Sequence, residues 1–149
     1  MAEKLKILFL CTGNSCRSQM AEGWARALRG DLLEAYSAGI ETHGLNPRAV
    51  LVMAEAGVDI SRQRSKHVDE VEDVPFDYVV TVCDHAYKNC PLFLGRGGKT
   101  KIVHVGFDDP PRLARDAKSE EEALAHYRRV RDEIRSFVEQ LPEALTNAG

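Results

Sequence analysis

Five residues near the start of the chain, Lys6-Ile7-Leu8-Phe9-Leu10, are nearly all apolar and run straight into a polar loop, residues 11–17. Beyond the loop, Met20, Ala21, Trp24, Ala25 and Leu28 recur at helical spacing, and Gly30 closes the segment. A strand that is apolar at successive positions is buried on both faces, as is a central strand of a parallel sheet covered by helices. The rest of the chain repeats the alternation. Residues 32–38 read as a second strand ended by Gly39, residues 76–83 as a third and residues 101–105 as a fourth. Asn46-Pro47 is a helix start, a capping Asn with Pro at the first helical position, followed by the stripe Ala49, Val50, Met53 and Ala56 and ended by Gly57. Ser119 with Glu122 forms a capping box before a long helix with Leu124, Tyr127, Val130, Ile134, Val138 and Leu141 on one face. Residues 93–100, glycine- and lysine-rich, read as a surface loop. No internal repeat or linker interrupts the pattern. It predicts one α/β domain over residues 1–149, a doubly wound parallel four-stranded sheet flanked by helices.

The bulk numbers narrow the functional classes. A chain of 149 residues can bury its own core without a metal or disulfide staple. No apolar run approaches the roughly 20 residues of a membrane span. The apolar stretch at residues 7–11 is too short for a signal-peptide core, so a cytoplasmic protein with no membrane association is expected. With 20 basic and 23 acidic residues, the net charge of −3 argues against a nucleic-acid partner. The four cysteines, Cys11, Cys16, Cys83 and Cys90, are spaced C-x4-C and C-x6-C, not as zinc knuckles, and no metal is expected.

Ligands in open α/β sheets bind at the carboxyl ends of the strands. The loop Cys11-Thr12-Gly13-Asn14-Ser15-Cys16-Arg17-Ser18, pattern C-x5-R-S, lies at such an end. A loop of this kind can curl so that successive backbone N–H groups cradle a tetrahedral oxyanion, and the following helix adds its positive end. Arg17 can take two anion oxygens with its planar fork. The same field favours the thiolate of Cys11, the nucleophilic form, and Ser18 can donate to that sulfur or orient the loop. The competing reading, a structural loop with two buried thiols, loses weight because the motif sits between an apolar strand and a helix. Cys16 fits a packed, supporting thiol better than a nucleophile.

The run Cys-Thr-Gly-Asn-Ser-Cys-Arg-Ser-Gln-Met-Ala-Glu over residues 11–22, with Gly23-Trp24, resembles the active-site loop and first helix of the low-molecular-weight tyrosine phosphatase superfamily. Together with Ser37-Ala38-Gly39-Ile40-Glu41-Thr42-His43-Gly44 and Asn46-Pro47, it is similar more narrowly to the thioredoxin-coupled arsenate reductases. The resemblance covers nearly the whole chain. It implies the phosphatase-like fold, arsenate as oxyanion substrate, Thr12 to Ser18 as its binding loop, and thioredoxin as external reductant.

Cys83 ends a predicted strand on the same rim as Cys11, and Cys90 follows in Asn89-Cys90-Pro91. Phosphoester hydrolysis is redox-neutral and uses neither thiol. Reducing arsenate to arsenite takes two electrons, which two thiols supply by closing into a disulfide. The resemblance implies a relay: Cys11 attacks arsenic, Cys83 attacks the Cys11 sulfur to leave a transient Cys11–Cys83 disulfide, and Cys90 converts it to Cys83–Cys90. A helical path between Cys83 and Cys90 would hold their Cα atoms about 10 Å apart, whereas a disulfide needs about 7 Å or less. Residues 84–89 are therefore expected to rearrange during turnover.

Gly106-Phe107-Asp108-Asp109-Pro110 follows the fourth strand. In the family the general acid immediately precedes the proline, which selects Asp109 and leaves Asp108 to cap or brace the loop; a plain turn is the competing reading. Phosphatases of the superfamily usually carry an aromatic residue after Asp-Pro, where this chain has Pro111. Some members bind potassium through residues matching Asn14, Glu22 and Ser37 plus a further acidic residue. Here that last position holds Lys66, whose ammonium can stand in for the cation, so neither a bound cofactor nor a potassium requirement is expected. His43, His67, His85, His104 and His126 show no metal-ligand spacing and read as structural or solvated. The charged face of the last long helix reads as solvated, and Trp24 as core. A monomer is expected. The alternatives are a tyrosine phosphatase of the same fold and a thiol-based metalloid sensor. The sensor would bind without turnover and would need a partner surface that the sequence does not display.

Overall fold

The apolar run at residues 6–10 forms the middle of strand β1 (Leu5–Cys11) in the computed structural model, which describes residues 4–89 and 100–146. Cys90 and the expected loop residues 93–99 lie outside the described residues. Strand β1 is flanked by β2 (Leu33–Gly39) and β3 (Tyr78–Thr81), with β4 (Lys101–His104) outermost, giving the order β2-β1-β3-β4 with every pairing parallel. Ile7, Leu8, Phe9 and Leu10 are fully buried, which is why this strand could be apolar at successive positions.

Among the described residues seven helices or helical turns accompany the sheet. They are α1 (Arg17–Arg29), α2 (Pro47–Glu55), a 3-10 turn (Val68–Val71), α3 (Asp84–Lys88), α4 (Pro110–Ala114), α5 (Glu120–Val138) and α6 (Glu143–Thr146). Helix α1 packs on β1 and β2 below and on α5 above, so Ser18 to Ala25 are buried without interruption. Trp24 is core as expected, 2% exposed, and its Nε1 donates to the carbonyl of Arg131 on α5 at 3.2 Å.

Two predicted caps are present. Asn46 Oδ1 accepts from the N–H groups of Arg48 (2.8 Å) and Ala49 (3.3 Å), with Pro47 in the first turn. Ser119 Oγ accepts from Glu122 N–H at 3.0 Å, while Glu122 reaches back to the N–H of Lys118. The structure differs from the reading of the sequence at three points. Strand β3 is shorter than residues 76–83, because the chain leaves the ladder at Val82 and Cys83 becomes the N-cap of α3. Helix α5 ends at Val138, and Leu141 is buried through the turn that follows. The charged face of α5 is not merely solvated: Arg128 pairs with Glu55 of α2, Arg131 Nη1 donates to the carbonyl of Val52, and Arg129 reaches Asp108.

Among the described residues no helix is long and apolar enough to cross a membrane.

Candidate active site

The strand order places the site. From β1 the chain moves to β2 on one side, and β3 pairs with β1 on the other. The carboxyl end of β1 is thus the point where the sheet changes winding direction, and a crevice opens there. Cys11 is the last residue of β1 and Arg17 the first of α1, so residues 12–16 must turn within that crevice.

The turn is held from outside. The carbonyls of Cys11, Thr12, Gly13 and Ser15 accept N–H groups of Ile40, Glu41, His43 and Asn46 at 2.9–3.1 Å. C=O and N–H point opposite ways across a planar peptide, so the N–H edge is left facing the centre of the loop. Asn14 sits in the left-handed region (φ 49°), fully buried. Its Nδ2 donates to Ser18 Oγ at 2.9 Å, and its Oδ1 accepts from Gln19 Nε2 (3.0 Å) and Lys66 N–H (2.8 Å). Ser18 therefore takes the loop-orienting role. Gly39 closes the back of the cradle: a Cβ there would stand 2.8 Å from the Asn14 nitrogen and the Thr12 carbonyl oxygen. These are backbone atoms of the loop itself. Gly39→Ala is expected to cost about 1–3 kcal/mol of stability and to weaken oxyanion binding, measured by thermal unfolding with and without phosphate.

The cradle faces a cleft of about 500 Å³ lined by Thr12, Arg17, Cys83, His85, Phe107 and Asp109 among others. Arg17 Nη1 donates to the carbonyl of Phe107 at 3.0 Å, and Nη2 lies 3.7 Å from Asp109 Oδ2. Asp108 turns away and binds Arg129 on α5 at 2.9 Å. The two adjacent carboxylates thus have different surroundings: Asp108 braces the loop, and Asp109 stands beside the cradle's arginine.

The sulfurs of Cys11 and Cys83 are 3.7 Å apart, and the Cys11 thiol donates to Cys83. Two thiolates at this distance would repel, so the pair holds at most one charge, and Cys83 takes it more readily than Cys11. The hydrogen bond from Cys11 is the largest cause, and the Thr12 hydroxyl (3.3 Å), the Ala86 N–H (3.4 Å) and Arg17 also draw Cys83 down, against burial, to about 5. Cys11 is held well above its ordinary value, first as the donor in this pair and then by burial, against the pull of Arg17. Cys83→Ala removes both the acceptor and the neighbouring charge and leaves Arg17 in place. The pH at which Cys11 becomes reactive is therefore expected to fall in this variant. Iodoacetamide modification of Cys11 followed against pH by mass spectrometry checks the sign. Cys16 is 4% exposed in the core, and burial raises it to about 12, as suits a packed thiol.

Two histidines gather at the cleft without any signal in their spacing. His85 Nδ1 lies 3.1 Å from Thr12 Oγ1, and His104 bridges Thr81 (2.8 Å) and Asp84 (3.0 Å). Among the described residues no cluster of His, Cys, Asp or Glu is placed to hold a metal ion. On the other side of the loop, buried Glu22 accepts from Ser37 at 2.6 Å, and Lys66 Nζ lies 3.9 Å from it.

Known proteins are similar to this chain in sequence and fold. The profile of the family described as low molecular weight phosphotyrosine protein phosphatase matches residues 6–148. An arsenate reductase of Halalkalibacterium halodurans is 49% identical over 140 residues, 94% of this chain and 96% of that protein. One of Bacillus subtilis (strain 168) is 51% identical over 137 residues, 92% of this chain and 94% of that protein. A solved structure described as an arsenate reductase in the phosphate binding state superposes with a TM-score of 0.74 at 28% identity, covering 97% of this chain and 99% of that one. The chain belongs to the low molecular weight phosphotyrosine protein phosphatase family.

Proposed function

We propose that the protein is an arsenate reductase, a cytoplasmic monomer working by a three-cysteine relay with thioredoxin as reductant. The observation that carries this reading is the 3.7 Å spacing of the Cys11 and Cys83 sulfurs at the mouth of an oxyanion cradle, since hydrolysis needs one thiol and reduction needs two. The similarity to arsenate reductases supports the activity. Arsenate is held by the loop N–H groups of residues 12–18 and by Arg17. The Cys11 thiolate attacks arsenic, an S–As bond forms, and hydroxide leaves with a proton from Asp109. Cys83 then attacks the Cys11 sulfur. The S–S bond forms, the S–As bond breaks, and its electron pair passes to arsenic, which leaves as arsenite. Cys90 attacks Cys83 and frees Cys11, and thioredoxin reduces Cys83–Cys90 by exchange.

Helix α3 covers residues 84–88 between the two thiols of that last transfer, and in this reading it opens to let them meet. Oxidised protein is then cut by protease in this segment faster than reduced protein. The function is tested by NADPH oxidation with thioredoxin and thioredoxin reductase, with and without arsenate. Arsenate-dependent turnover is expected, and its absence would overturn the reading.

A second reading, hydrolysis of phosphate monoesters, is favoured by the cradle with Arg17 and Asp109 alone, and a weak aryl phosphatase activity is expected. For the ion beside the loop, the Lys66 ammonium near Glu22 supports a site that needs no potassium. Exchanging sodium for potassium chloride should move the melting temperature by less than about 1 °C, since only an ion bound by the native state would raise it.

A further inference from the structure

We infer that His85 is a positioning residue of the relay, the group that takes the proton of Cys83 through the hydroxyl of Thr12 and releases it to solvent. This rests on the reading that Cys83 attacks the Cys11 sulfur.

Proton accounting raises the need. The resting pair holds one proton, on Cys11, directed at Cys83. When Cys11 attacks arsenic as a thiolate, the proton it gives up passes to the sulfur it already faces. Cys83 is then a thiol, and a thiol is a poor nucleophile. It must lose that proton before its own attack.

Among the described contacts of Cys83, one can pass a proton on. The Ala86 N–H only donates, so it cannot accept a proton from the sulfur. The Thr12 hydroxyl, 3.3 Å from the sulfur, both accepts and donates. Its other neighbour is His85 Nδ1 at 3.1 Å, on an exposed side chain at the edge of the cleft. In the transfer the Cys83 S–H and Thr12 O–H bonds break, and a Thr12 O–H and a His85 Nδ1–H bond form. Cys83 becomes thiolate, Thr12 is unchanged and His85 becomes imidazolium, which passes the proton to water. No electrons move in this step; the following S–S bond formation carries them.

The other titratable groups around the cleft are engaged elsewhere or stand apart from this chain. Asp84, beside His85 on α3, accepts from His104 of β4 at 3.0 Å. Asp109 stands by Arg17, Asp108 by Arg129, and the Arg112 guanidinium has no free lone pair to take a proton.

The test is the rate at which arsenate drives the Cys11–Cys83 disulfide in one turnover, followed against pH by acid quench and thiol alkylation in a Cys90→Ser background. His85→Ala is expected to slow this step at least about tenfold and to abolish an inflection in the pH profile, and added imidazole should restore the rate. His85→Asn keeps a hydrogen-bonding group near Thr12 but cannot carry the proton away, so it should be as slow as His85→Ala. His85→Asn matching the parent in rate and pH profile would overturn the inference and leave the relay standing. No arsenate-dependent Cys11–Cys83 disulfide in the parent protein would overturn the relay, and the inference with it.

Discussion

Cys83→Ser is expected to abolish arsenate-dependent NADPH oxidation, by a factor of about a thousand or more, and to leave slow aryl phosphate hydrolysis within a few-fold of the parent, whereas Cys11→Ser should abolish both. The split follows from what each sulfur faces. Cys11 ends β1 at the base of the loop and, in the proposed mechanism, is the nucleophile of either reaction. Cys83 lies 3.7 Å away and becomes necessary only once electrons must be returned to the adduct. A serine there can accept the Cys11 hydrogen bond but cannot form a disulfide. Cys90→Ser should give a single turnover without steady-state cycling. Steady arsenate turnover by Cys83→Ser would show that arsenic leaves by another route and would sink the relay.

Arg17→Lys should lower kcat/KM for arsenate on the order of a hundredfold to a thousandfold, although the charge is kept. Arg17 opens α1, its side chain is 11% exposed, and one arm of its fork is tied to the Phe107 carbonyl at 3.0 Å. That tie fixes the guanidinium plane against the cradle, so both edges are aimed before substrate arrives. A lysine ammonium offers one mobile point charge and cannot hold Phe107 and two anion oxygens together. Steady-state kinetics with arsenate, and competition by phosphate, would measure the loss. A change below about threefold would mean that the backbone N–H groups alone hold the anion.

Much of this was legible in the chain. The four strands, three of the helices and the caps at Asn46 and Ser119 follow from local patterns, because apolar periodicity and capping chemistry act over a few residues. The short helices α3, α4 and α6 were not legible. Helices of four or five residues do not nucleate alone, and tertiary contacts form them. The arginines of α5 read as an ordinary charged face, because the carboxylates and carbonyls they meet lie on α2 and in the loop before α4.

The amino-acid sequence by itself determined the sheet and the oxyanion loop with Cys11 and Arg17, which announce themselves through their neighbours in the chain, whereas Cys83 became a candidate only beside that loop and Asp109 only through the family resemblance. Only the tertiary structure decided how they divide the work. Asp108 and Asp109 are the same residue side by side, and they part because Arg129, 21 positions after Asp108, claims one of them. Cys11 and Cys83, 72 positions apart, bring their sulfurs within 3.7 Å because β1 and β3 are adjacent and parallel. His85, which no spacing singles out, meets Thr12 for the same reason. Side-chain pairing across a sheet depends on which strands become neighbours, and strand order is settled by packing and not by any local pattern.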